Sequence, residues 1–239
     1  MYNVFIMKRS AAEILDLFEQ VTIQAMEKCQ ARYDEVCEKM NINPLGKIRT
    51  IRYSELLNFA TKKLGESTVE KLIEEVIARP NLDERDQSFF IADKLMIHCQ
   101  ELAPAVVVLF VPPFYPAVNS SEHPLAKKAI DLVLQASKPY EIPLQQVHYF
   151  NGISDLSYCQ LSEDNGWQAY EENTPVWKRT YDIPFDHISK FNAPVLNVGP
   201  YGKDAHQISE RLHMKSAFYE MPDLIYQLLR FVDKETANK

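Results

Sequence analysis

The chain has 239 residues, 46% hydrophobic and 25% charged, a composition that supports a substantial apolar core in one or two domains. Its net charge of −7, with basic residues no denser than the pairs Lys8-Arg9, Lys62-Lys63 and Lys127-Lys128, argues against a nucleic-acid partner. No apolar run reaches the roughly 18 residues of a membrane span, and the start MYNVFIMKRS lacks the order of a signal peptide. Cys29, Cys37, Cys99 and Cys159 show no CxxC spacing and read as buried thiols in a reducing cytoplasm.

Taken in order, Tyr2–Met7 reads as a short strand. Ser10 and Glu13 form a capping box that opens a long helix. Its apolar residues (Ala11, Ile14, Leu15, Phe18, Ala25, Met26, Cys29, Tyr33, Val36 and Met40) fall at helical spacing, and Asn43-Pro44-Leu45-Gly46 ends it. Ile48–Tyr53 alternates like a strand, and Ser54 is expected to cap a helix that stops at Gly65. Ser67 and Glu70 suggest a second capping box, for a helix ended by Pro80. Asp83 starts another helix, which runs to about Leu102. The unbroken β-branched run Val106–Val111 predicts a buried strand.

Pro112-Pro-Phe-Tyr-Pro116 reads as a stiff exposed linker, because its prolines fix φ and remove amide donors, and it sets the expected domain boundary. Beyond it the pattern predicts a helix over about Ser121–Ser137 and a strand over Leu144–Phe150. A long polar stretch follows to about Asn192, then a strand at Val195–Val198 and a closing helix from about Phe218 to Val232. Strands alternating with helices predict an α/β protein with at least partly parallel pairing.

The chain holds six glycines, and three of them lie in two loops that each follow an expected strand. Gly199 and Gly202 precede His206, and Gly152 precedes Ser154 and Asp155. In parallel sheets ligands sit beyond the carboxyl ends of strands, which makes both loops candidate site segments. His206 fits a metal ligand, with Glu210 one helical turn on as the acceptor for its second ring nitrogen, or else a surface histidine with an ion-pair partner. Ser154 and Asp155 fit either contacts to a substrate's polar atoms or a cap on the following turn. Asn-Gly-Ile-Ser-Asp does not match the G-x-S-x-G elbow of a serine hydrolase. None of the six histidines heads an H-x-D or H-E-x-x-H pattern, and Glu74-Glu75 and Glu171-Glu172 read as solvated faces.

Gly199-Pro-Tyr-Gly-Lys-Asp-Ala-His206-Gln-Ile-Ser-Glu210 resembles the last metal-ligand motif of the zinc aminoacylase/carboxypeptidase family, which includes acetylornithine deacetylases and succinyl-diaminopimelate desuccinylases. Phe150-Asn-Gly-Ile-Ser-Asp155 is similar to the G-G-T-S-D loop that precedes that motif. With Glu101-Leu-Ala-Pro104 and Pro112-Pro-Phe-Tyr-Pro-Ala-Val118, the likeness is greatest to the arginine-utilization, RocB-like branch and covers essentially the whole chain.

The resemblance implies a zinc-dependent amidohydrolase with one or two metal ions, acting on a small amino-acid derivative. It implies a ferredoxin-like lid domain over residues 1–116, entered part-way, and the C-terminal half of a mixed-sheet catalytic domain over residues 117–239. On that mapping His206 is the metal ligand, and Gly152, Ser154, Asp155, Gly199 and Gly202 line the substrate pocket or shape its turns. Asn151 and Ile153 replace the glycine and threonine of G-G-T-S-D, which removes a hydroxyl. The family's H-x-D motif, bridging aspartate, Glu-Glu pair and lid histidine have no counterpart, so no catalytic residue is assigned here. One histidine cannot supply the three ligands that a catalytic zinc requires. The chain is therefore expected to need an N-terminal half and to be incompetent alone. The rival expectations are a non-catalytic binding or dimerisation module that self-associates through the lid, and a small complete enzyme built on Ser154, Asp155 and His206.

Overall fold

The computed structural model describes residues 1–6, 8–148, 154–161 and 166–237, with the side chains of Asp155 and Thr236 left aside. These residues form a mixed α/β architecture of helices and two small open sheets. The chain divides into two units: Met1–Pro116 with Glu163–Phe185, and Ala117–Ser162 with Asp186–Lys239.

In the first unit, helix α1 (Ala11–Met40) starts as its capping box requires. Ser10 Oγ accepts from the Glu13 amide at 3.2 Å, and the Glu13 carboxylate accepts from the Ser10 amide at 2.7 Å. The helix ends at Asn41, whose left-handed backbone (φ +53) lets its amide reach back to Cys37 and Glu38. Ala11, Ile14, Leu15 and Cys37 are buried, while Leu17, Val21, Ile23, Val36 and Met40 stay exposed. The expected strand at Tyr2–Met7 does not form over the described residues 1–6, where Tyr2 and Phe5 are exposed and no neighbouring strand offers a ladder.

Strands β1 (Arg49–Arg52) and β2 (Ala105–Val108) pair in parallel, Arg49 opposite Ala105 and Arg52 opposite Val108. Two strands alone are marginal. Helices α2 (Tyr53–Leu64), α3 (Glu66–Ile77) and α4 (Glu84–His98) supply the missing burial. Leu56, Ile73, Val76, Ile91, Leu95 and Cys99 close a core that β1 and β2 touch through Ile51 and Val107. Each fully buried aliphatic side chain contributes about 1.5–3 kcal/mol. Asp83 caps α4 by accepting from the amides of Arg85 and Asp86.

Two expected caps are corrected. The residue before α2 is Arg52, whose amide donates to Glu55 Oε2 at 2.7 Å, and the Ser54 amide donates to Asn173 Oδ1 at 3.1 Å. Ser67 lies inside α3, and Glu70 is drawn into a two-point ion pair with Arg179, both contacts 2.7 Å. Asn173 and Arg179 come from the stretch that reads in sequence as polar. That stretch holds α6 (Trp167–Glu172) and buries Tyr170, Val176 and Ile183 in the first unit. Stacked and edge-on contacts join Tyr170, Trp177, Tyr181 and Phe185 there.

In the second unit, α5 (Pro124–Ala136) packs against α8 (Met221–Ala237) around Val133, Met221 and Leu224. A π-helical turn, Ser216–Glu220, leads directly into α8. Leu144, Leu196 and Val198 rest on this core as extended segments. Among the described residues neither Val195–Val198 nor the described part of Leu144–Phe150 enters a ladder, and the Val195 amide donates instead to Ser120 Oγ at 2.9 Å. Helix α7 (Phe185–Phe191) spans the junction of the two units in sequence. Among the described residues no helix is long and apolar enough to cross a membrane.

Candidate functional site

The His206 segment is a hairpin, not the helical turn that would bring Glu210 under the imidazole. Strand β3 (Gly202–Lys203) pairs antiparallel with β4 (Arg211–Leu212), Gly202 opposite Leu212 and Lys203 opposite Arg211. The loop between them is tied from inside. The Gln207 amide donates to the Asp204 carbonyl at 3.0 Å, and the Glu210 amide to the Gln207 carbonyl at 2.9 Å. Arg211 Nη1 reaches Asp204 Oδ2 at 2.8 Å and the Ser209 carbonyl at 3.2 Å. Glu210 does meet His206, but through the backbone: its carboxylate accepts from the His206 amide at 3.1 Å. The imidazole is left exposed at the tip, beside a fully exposed Ile208.

His206 and Asp204 both hold left-handed backbones, φ +64 and +56. Such φ values are uncommon outside glycine, although Asp, Asn and His adopt them more readily than other residues. Gly202 approaches the opposite strand closely: a Cβ there would lie 3.2 Å from the Arg211 carbonyl oxygen. Gly199 has open space around it, so sterics do not demand glycine at that position.

Ser154 caps the short 3₁₀ helix Asp155–Tyr158, its Oγ accepting from the Leu156 amide at 3.4 Å. Gly152 and the Asp155 side chain lie outside the described residues. Among the described residues no three His, Cys, Asp or Glu side chains come together to hold a metal ion. His206 is one donor, and what surrounds it does not fit a zinc site by itself.

Sequence reasoning passed over the residues that anchor the hairpin. The Tyr201 amide donates to Ser216 Oγ at 3.0 Å, and the His213 amide donates to the Tyr201 carbonyl at 3.0 Å. The Ser216 amide donates to His213 Nδ1 at 3.3 Å, so His213 caps the helix that begins at the next residue. The only sequence signal is an acceptor three residues before Ser216. Placing the helix start near Phe218 hid it.

The fold and site thus define an α/β chain of two units with a histidine displayed on a tethered hairpin. No protein-family model matches it, and no solved structure matches it. Two curated proteins of Bacillus subtilis (strain 168) do. The chain is 36% identical over 232 residues to the uncharacterized protein YqjN, covering 94% of this chain, and 27% identical over 238 residues to Protein RocB, covering 95%. It spans 42% of the length of each relative it matches.

Proposed function

We propose that this chain corresponds to the C-terminal portion of a cytoplasmic zinc-dependent amidohydrolase of the aminoacylase/carboxypeptidase type, acting on a small amino-acid derivative in arginine or other amino-acid degradation. The observation that carries the reading is His206. The motif Gly199–His206 resembles that family's last metal-ligand motif, and the histidine occupies a left-handed position that a glycine would hold at lower cost, with its ring free of the fold. Strained backbone at a displayed polar residue is characteristic of functional sites.

In this reading the first unit is the ferredoxin-like lid, and the second is the returning half of the catalytic domain. Gly152, Ser154, Asp155, Gly199 and Gly202 border the substrate, and Glu210 fixes the hairpin. The other metal ligands and the general base belong to a portion outside the described residues. The match to 42% of YqjN and of RocB supports a larger whole. The apolar surface at the C-terminal end supports it too: Phe218 and Tyr219 of the π-helical turn and Tyr226 and Leu229 of α8 are exposed, while Met221 and Leu224 are buried.

The test joins this chain in one polypeptide to the part of YqjN that it does not match. Zinc content and hydrolysis of a panel of N-acyl amino acids are then measured for the chain alone and for the joined protein. Zinc with activity only in the joined protein is the expected result. Activity in the chain alone overturns the claim of incompleteness, and a folded joined protein with neither overturns the hydrolase reading.

A second reading is a non-catalytic dimerisation module. The exposed apolar residues of α1, Leu17, Val21, Val36 and Met40, favour it, because they lie beside the face that the first unit already buries.

A further inference from the structure

Hairpin β3–β4 cannot hold itself in place. It pairs at only two positions, and Gly202, Lys203, Arg211 and Leu212 are all exposed. A two-stranded hairpin without a buried face is marginal in water. Yet its tip holds two left-handed residues in one arrangement. Something beneath the paired strands must supply the order.

We propose that Ser216 and His213 are positioning residues, which lock the base of the hairpin to the core helix and thereby set where His206 stands. Tyr201 and His213 are the next pair below Gly202 and Leu212, and they are joined by the His213 amide to Tyr201 carbonyl bond at 3.0 Å. Their rings meet edge to face, centroids 6.3 Å apart. Ser216, 4% exposed, closes the arrangement from the helix side. Its hydroxyl accepts from the Tyr201 amide at 3.0 Å, and its own amide donates to His213 Nδ1 at 3.3 Å. The His213 carbonyl accepts in turn from the Ala217 amide at 2.9 Å.

Ser216 opens the π-helical turn, and the first residue after that turn, Met221, lies in the core with Leu224. A π turn inserts one extra residue into a helix and is frequent at functional sites. Here it separates the register of the helix's first turn, which grips Tyr201, from that of the core-facing stripe beyond it. With Nδ1 accepting, the neutral His213 ring carries its proton on Nε2. The inference rests on the reading of His206 as the group that the hairpin exists to present, and the experiment separates the two.

Amide hydrogen exchange and NMR spectra are compared for the wild-type chain, Ser216→Ala, His213→Ala and His213→Asn. Asn keeps a side-chain oxygen able to cap the helix. Ser216→Ala is expected to speed exchange of the Tyr201 amide about ten-fold, the scale of one lost hydrogen bond, and to shift the Gly202, Lys203 and His206 amides. Protection of Met221 and Leu224 is expected to be unchanged. His213→Ala behaves like Ser216→Ala, and His213→Asn recovers most of the Tyr201 protection. In the polypeptide joined to the unmatched part of YqjN, zinc(II) titration is expected to need several-fold more metal for half-saturation in Ser216→Ala than in the wild type.

Unchanged Tyr201 exchange in Ser216→Ala overturns the lock. So does equal loss of protection at Tyr201 and Leu224, which makes Ser216 an ordinary core residue. If the joined wild-type polypeptide takes up no zinc, the metal role of His206 fails, and the exchange pattern in the chain alone still decides the lock.

Discussion

Two single residues carry conformations that their sequence contexts do not announce. A left-handed backbone at His206 costs about 1–2 kcal/mol that glycine would avoid. His206→Gly is therefore expected to leave the thermal midpoint unchanged or to raise it by about 2–4 °C, while abolishing zinc-dependent hydrolysis in the joined polypeptide. A lower midpoint by circular dichroism would mean that the imidazole serves the fold. Gly166 is the opposite case. It sits at φ +57 against the start of α1, and a Cβ there would lie 2.8 Å from the Ala12 amide nitrogen and 3.1 Å from Ser10 Cβ. Gly166→Ala is predicted to cost about 1–3 kcal/mol in a denaturant titration. In sequence Gly166 is one glycine in a polar loop, because a contact with residues more than a hundred positions away leaves no local trace.

At the level of elements, the longer helices and the two strands of the parallel sheet announced themselves, while α6, α7 and the β3–β4 hairpin did not. The Ser10–Glu13 box and the Asp83 cap are local chemistry, complete within one turn, and both stand as read. Glu70 shows how tertiary partners override such patterns. Paired with Arg179, its carboxyl is held below its ordinary value of 4.5, so the pair contributes stability in full above that pH. The contribution is lost as pH falls through the depressed folded value. Glu70 and Arg179 are partly exposed, so the pair is worth only about 0.5–1 kcal/mol. Urea titrations of the wild type and Glu70→Gln should therefore differ by that amount at pH 7 and converge once the pH falls below the depressed folded value. A gap that persists at low pH would show that the substitution acts through packing.

The whole molecule leaves more apolar surface uncovered than its own core requires. Along α1, Val21 and Val36 are 56% and 44% exposed. If this face joins two copies, sedimentation should show a dimer at tens of micromolar that Val21→Glu with Val36→Glu converts to monomer, and a monomeric wild type ends the dimerisation reading. Composition, charge, the long helix with its first cap, the amphipathic helices behind the small parallel sheet and the GPYGKDAH segment were all legible in the chain itself. Each is set by residues within a turn or two of one another, or by sums over the whole sequence. Tertiary structure alone decided that Val195–Val198 lies unpaired, since a strand exists only beside another strand. It alone drew Tyr170–Phe185 into the first unit and gave Glu70 to Arg179. It also placed His206 on a hairpin gripped by Ser216 and His213. Those outcomes depend on which distant groups arrive to satisfy each hydrogen bond and cover each apolar face, and no spacing along the chain encodes that meeting.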